Sequence, residues 1–119
     1  MAIPSGGGSE VLKRHYLHNL DHSAAQILIN GESNHIYTVL SIIFCEQDGD
    51  TDCEIYLRNQ IDGSGDYIFL LEQQPIPANG TFVWSDKFVI QETDHLEAYC
   101  ENSGNHVDVY ISYIEQDWS

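Results

Sequence analysis

Three aspartates at alternate positions, Asp48, Asp50 and Asp52, form the sequence's nearest approach to a metal-binding motif. Oxygen ligands at that spacing open the loop that holds calcium in an EF-hand. The second half of the motif does not follow. Cys53 stands where the loop needs glycine for its sharp turn, and Asn59 stands where it needs a bidentate glutamate. A solvated acidic turn is the better reading, with Asp62 or Asp66 as the residues a weaker shared calcium site would recruit. No metal or other cofactor is predicted.

The six histidines, His15, His18, His22, His35, His95 and His106, match no zinc-protease spacing. His18 and His22 would share a face only on a helix, and their segment reads as strand and turn. Surface or hydrogen-bonding roles suit them better. Nucleophilic catalysis needs a base beside the nucleophile and a group to orient that base. Ser, Cys and His are all present, but without a G-x-S-x-G elbow or other local signature. Nineteen acids guarantee chance carboxylate pairs, so pairs alone carry no glycosidase signal. Ser5–Ser9 is glycine-rich but opens onto Glu10-Val11 with no G-K-[ST], so it is not a phosphate loop. Tyr37, Tyr56, Tyr99, Tyr110 and Tyr113 could line a sugar- or partner-binding stripe, although tyrosine is also a favoured strand residue, and core packing accounts for them better. The chemistry-bearing residues thus predict a protein that is not an enzyme.

The elements that would position these residues are short. Strand-like runs recur about every twelve residues: Val11–Leu17, Ala24–Ile29, Ile36–Cys45, Cys53–Arg58, Tyr67–Glu72, Thr81–Gln91, Leu96–Cys100 and Val107–Tyr113. Gly, Asn, Asp and Pro punctuate them. Cys53, Ile55 and Leu57 alternate with Glu54, Tyr56 and Arg58, the period of a half-buried strand. Ile36–Cys45 is apolar in both phases, which predicts a central strand covered on both faces. Asn102-Ser103-Gly104-Asn105 reads as a hairpin turn. No segment has helical periodicity. The fold class predicted is all-β: an antiparallel β-sandwich or jelly roll of about eight strands spanning residues 11–119, preceded by a flexible N-terminal arm at residues 1–10. In that arm a glycine hinge, Gly6-Gly7-Gly8, carries an apolar tip, Ile3-Pro4, suited to lying on a neighbouring subunit.

The chain has 119 residues, enough for one domain with its own core. Its formal net charge is −15, with Lys13, Arg14, Arg58 and Lys87 as the only lysines and arginines. Nucleic acid demands a basic stripe, so it is excluded as a partner, and anionic membranes should repel the chain. Lys13 and Arg14, directly after the arm, are the cations placed to meet acids on a partner. The terminus lacks a basic region followed by an apolar run, and no stretch approaches the length of a membrane-spanning helix. Folding in a reducing cytoplasm is therefore expected. Cys45 and Cys53 flank the acidic turn and would face each other if it closed a hairpin, but with Cys100 the count is odd and the compartment disfavours a disulfide.

The two ends of the chain add a likeness. Met1-Ala2-Ile3-Pro4-Ser5-Gly6 and Glu10-Val11-Leu12-Lys13-Arg14 resemble the opening of small virion-associated proteins of marine tailed bacteriophages. His35–Ile42, Asn79–Lys87, Val107–Ile114 and Gln116-Asp117-Trp118-Ser119 are similar too, so the resemblance spans nearly the whole chain. It implies a non-enzymatic virion component, assembled in the host cytoplasm, and brings no catalytic residues with it. The leading expectation is a capsid decoration (cement) protein that binds the outer face of the major capsid protein shell, is homo-oligomeric, and makes its contacts through Ile3, Pro4, Lys13 and Arg14. A tail, neck or fibre component, including a receptor-binding module, is the alternative.

Overall fold

A computed structural model describes residues 9–20, 23–47, 53–63, 65–101 and 106–118. Nine strands make up most of them: β1 Ser9–Leu17, β2 Gln26–Asn30, β3 His35–Glu46, β4 Cys53–Gln60, β5 Tyr67–Ile76, β6 Thr81–Trp84, β7 Phe88–Gln91, β8 His95–Cys100 and β9 Val107–Asp117. Among the described residues a single 3-10 turn, Ile61–Gly63, interrupts them, and no helix is long and apolar enough to cross a membrane. The tip of the arm, Ile3-Pro4, and the aspartates Asp48, Asp50 and Asp52 lie outside the described residues.

Two antiparallel sheets face each other. One has the order β1-β9-β3-β6, with β7 also on β3, and the other has the order β2-β8-β4-β5. Successive strands cross between the sheets except at β4–β5, which pair as a hairpin, and β6 and β7 act as one strand broken at Ser85-Asp86-Lys87. Read that way, the fold is an eight-strand jelly roll, the second of the two architectures expected from the sequence. The hairpin predicted at Asn102–Asn105 is absent, as is the one considered at the acidic turn. β3 and β4 belong to different sheets, as do β8 and β9, so Cys45 and Cys53 are not cross-strand neighbours. Cys45, Cys53 and Cys100 are all free thiols.

The core lies between the sheets. Phe44, Ile42, Val39, Ile111 and Val109 from the first sheet meet Ile55, Leu57, Leu96, Ile76 and Ala98 from the second. The two apolar phases of β3 have a cause other than double coverage. Val39 is opposite Tyr113 on β9 and Ser41 is opposite Ser112, so one extra residue bulges between them. Tyr37 and Val39 face inward before the bulge, and Ile42 and Phe44 do so after it. The pattern switches phase, while Ile43 on the other face stays exposed. A close approach fixes one turn. A Cβ on Gly31 would overlap the Glu92 carbonyl oxygen and lie 2.5 Å from that of Asp94, whose oxygen also accepts the Gly31 N–H.

One end of the sandwich holds a polar cluster. His35 Nδ1 lies 2.8 Å from the Ser33 carbonyl; since a carbonyl only accepts, that nitrogen carries the hydrogen. Its Nε2 is 3.4 Å from Glu115 and 3.5 Å from Asp117. Beside it, Tyr37 Oη accepts the Glu32 N–H and Lys13 Nζ donates to Glu115 at 3.1 Å. Burial pushes the Tyr37 hydroxyl up to about 12 and raises Tyr113 as well, while the Glu115 hydrogen bond raises Lys13. All three hold their protons more tightly folded than unfolded. Their contribution is therefore complete below about pH 10 and disappears as pH climbs toward 12. The urea midpoint should be level from pH 7 to 9 and fall between pH 10 and 12. Tyr37→Phe should start lower, having lost a hydrogen bond, and fall less steeply. Parallel slopes for the two proteins would refute the assignment to Tyr37.

Candidate interaction faces

Each sheet presents its second side outward, and the two outward faces differ in kind. On the β1-β9-β3-β6 sheet, register fixes which side chains share a row. Tyr16, Tyr110, Ile43 and Val83 lie directly opposite one another across four strands. Leu12, Ile114, Thr38 and Val89 form a second row. Between them runs Arg14, Ser112 and Ser41. Leu12 is 71% exposed, and Tyr16, Tyr110, Ile43, Val83 and Val89 are exposed as well. Exposed apolar patches of this kind are where contact surfaces are commonly found. A shallow hollow of about 280 Å³ opens at one end, lined by Tyr16, His18, Ile43, Cys45, Asp108 and Tyr110.

Charge is scarce on this face. Among its described strand residues, Glu10, Arg14 and Asp108 alone are charged. Asp108 accepts from the Asn19 N–H at 3.1 Å and meets His18 Nδ1 at 2.8 Å. Glu10 accepts from Gln116 at 2.9 Å. Arg14 lies over the Tyr16 ring, 5.3 Å from its centroid. On a chain of net charge −15, this is the face from which acids are largely missing. The two cations predicted to meet a partner point to opposite sides of β1. Lys13 turns toward the other sheet and pairs with Glu115 of its own chain, while Arg14 faces outward.

The outward side of the β2-β8-β4-β5 sheet is aromatic but self-contained. Tyr56 stacks on Tyr99 at 4.5 Å with their planes 4° apart, and Tyr56 donates to Glu101 at 3.1 Å. The Arg58 guanidinium carbon lies 3.9 Å from the Tyr67 ring centre and 5.3 Å from that of Tyr99, while its Nε donates to Glu97 at 2.9 Å. Arginine and its buried carboxylate thus satisfy each other beneath the rings. The five tyrosines considered as one stripe are divided among three surfaces. Tyr37 and Tyr113 face the sandwich interior, Tyr110 faces outward on the first sheet, and Tyr56 and Tyr99 lie on the second.

No residue cluster among those described has the makings of a metal site. Asp62, one of the acids considered for calcium, accepts from Thr93 at 3.3 Å. Sequence reasoning missed Asp94, which holds this corner: its carboxylate accepts the Asp62 N–H at 2.9 Å and the Asn59 amide at 3.2 Å. It also missed Glu46, 1% exposed, whose carboxylate accepts the Asn79 N–H at 2.8 Å. No local motif marks either residue, because their partners come from other strands.

No protein-family model matches the sequence, and a search of curated proteins gives no match. Solved structures share the fold. One comes from Bacillus endospore appendages, described as a family of disulfide-linked pili: 13% identity and a TM-score of 0.57 over 100% of this chain and 97% of that one. Another is a chain of the IBDV viral particle: 8% identity and a TM-score of 0.51 over 96% of this chain and 36% of that one. At these identities the likeness is one of fold.

Proposed function

We propose that this chain is a non-enzymatic structural subunit of a tailed-phage virion, most simply a capsid decoration protein seated on the outer face of the shell. The observation that carries this reading is the apolar, charge-poor face of the β1-β9-β3-β6 sheet on an otherwise strongly acidic domain. A surface of that kind docks where water can be excluded, and the remaining acids stay in solvent. Folds of this kind occur in an assembled pilus and in a viral particle, which supports a building role. The N-terminal tip Ile3-Pro4 is proposed as a second grip on the shell.

Placing a carboxylate in the middle of the face tests this. Tyr110→Asp and Ile43→Asp should each weaken binding to protein-stripped particles by about tenfold or more, because the charge would be desolvated without a partner. Circular dichroism should stay unchanged, since both side chains are already in solvent. Deleting residues 1–8 should leave a folded domain that binds poorly. Labelled wild-type protein imaged on intact particles should decorate the shell; label confined to the tail would replace this reading with that of a tail component. Unaltered binding by both aspartate variants would remove the face from the account.

A further inference from the structure

Sheet edges expose unpaired N–H and C=O groups, and most proteins guard them with prolines, bulges or short strands. Three of the four edges here are guarded. β2 is five residues long and bulged, β5 carries Pro75 and two register shifts, and β6 and β7 are four residues each. β1 is different. It runs nine residues with no proline and an unbroken register on β9, and among the described residues no strand pairs with its other side. All but its last residue are exposed.

We infer that β1 pairs with β1 of a second copy in an antiparallel arrangement centred on Leu12, joining two sheets into one. The choice of occupant rests on charge and on face. In a continuous sheet, residues directly opposite share a face, so outward Glu10, Leu12, Arg14 and Tyr16 must meet outward residues of the copy. Only registers in which the paired residue numbers sum to an even value satisfy this. Centring on Lys13 or on Arg14 sets a cation opposite itself. Centring on Val11 sets Leu12 opposite Glu10. Centring on Leu12 sets Leu12 against Leu12, and Arg14 against Glu10 twice over, once on each side of the two-fold axis. Among the described residues of its own chain Arg14 meets the Tyr16 ring and no carboxylate. Lys13, which points inward and could otherwise obstruct an incoming strand, is neutralised by Glu115. The pairing also covers Leu12, the most exposed large apolar side chain among those described. The inference requires only two copies of this chain, so it stands or falls apart from the virion reading.

Directly opposite residues approach closely enough for a disulfide, whereas residues one pair removed do not. In full-length protein carrying Cys45→Ser, Leu12→Cys should cross-link into a dimer under mild oxidation. Val11→Cys and Arg14→Cys should not cross-link alone, but Arg14→Cys mixed with Glu10→Cys should. Sedimentation equilibrium supplies a second arm. Arg14→Glu should weaken dimerisation about tenfold by creating two like-charge pairs. Adding Glu10→Arg should restore it, although the doubly exchanged protein has the same net charge as the wild type. A wild-type protein that stays monomeric at high concentration would overturn the inference. So would cross-linking at Val11 in place of Leu12, or a double variant no better than Arg14→Glu.

Discussion

Phe44→Ala should destabilise the domain by about 3–5 kcal/mol, while Ile43→Ala, its immediate neighbour, should cost less than about 1 kcal/mol. Phe44 has no exposure, packs against Phe82 at 6.2 Å between ring centres, and lies opposite Val109 on β9. Truncation would leave a ring-sized void between two sheets that cannot both relax into it. For a domain whose total stability is of order 5–15 kcal/mol, that loss is a large share of the whole. Ile43 points the other way, into solvent. Urea unfolding followed by tryptophan fluorescence would measure both. Equal, large losses would mean that β3 is covered on both faces after all, and that the outward face is part of a core.

That contrast bears on how the sequence was legible. Alternation depends only on local period, so β4, β8 and β9 could be read directly: Cys53, Ile55 and Leu57, then Leu96, Ala98 and Cys100, then Val107, Val109 and Ile111 all face inward. In β3 the same alternation runs through a bulge, and one inserted residue turns two half-length phases into an apparent double coverage. The turns misled for another reason. Glycine and asparagine report that the chain bends, but not whether the next strand joins the same sheet. In a jelly roll most bends cross between sheets, so the Asn102–Asn105 segment reads as a hairpin and the Asp48–Asp52 turn allows one, though the strands flanking each are not paired. The β4–β5 turn, which does close a hairpin, carries the same residue types.

The interaction faces were less legible than the strands. Tyr16, Tyr110, Ile43 and Val83 are separated by up to 94 positions in sequence and come into one row only through register. Lys13 and Arg14 were visible as a pair of cations, but their opposite orientations follow from the pleat. Arg58 shows the same limit. Its partner Glu97 is 39 residues away, and nothing near either residue announces that they share a cluster.

Self-association and particle binding should both strengthen from about 20 mM to about 500 mM sodium chloride, by roughly tenfold or more. Two domains of net charge −15 must come together against mutual repulsion. At the low end of that range the screening length is about 20 Å or longer, so most charges on one copy are felt by the other; at the high end it falls to roughly 4 Å and only near neighbours matter. Against this, the two Arg14–Glu10 pairs at a joined β1 edge are exposed and contribute about 0–1 kcal/mol each, of which salt removes a part. The repulsion involves every acid and the attraction only two contacts, so screening should favour assembly. The apolar rows of the outward face respond to salt in the same direction, since burial of apolar surface does not weaken as ions are added. A nucleic-acid binder would behave in the opposite way, losing affinity as counterions compete. Sedimentation across a salt series would read self-association, and bound fraction on protein-stripped particles would read docking. Binding that weakens steadily with salt would mean that attraction to a basic partner dominates, and the acidic surface would then be the contact in place of the apolar face.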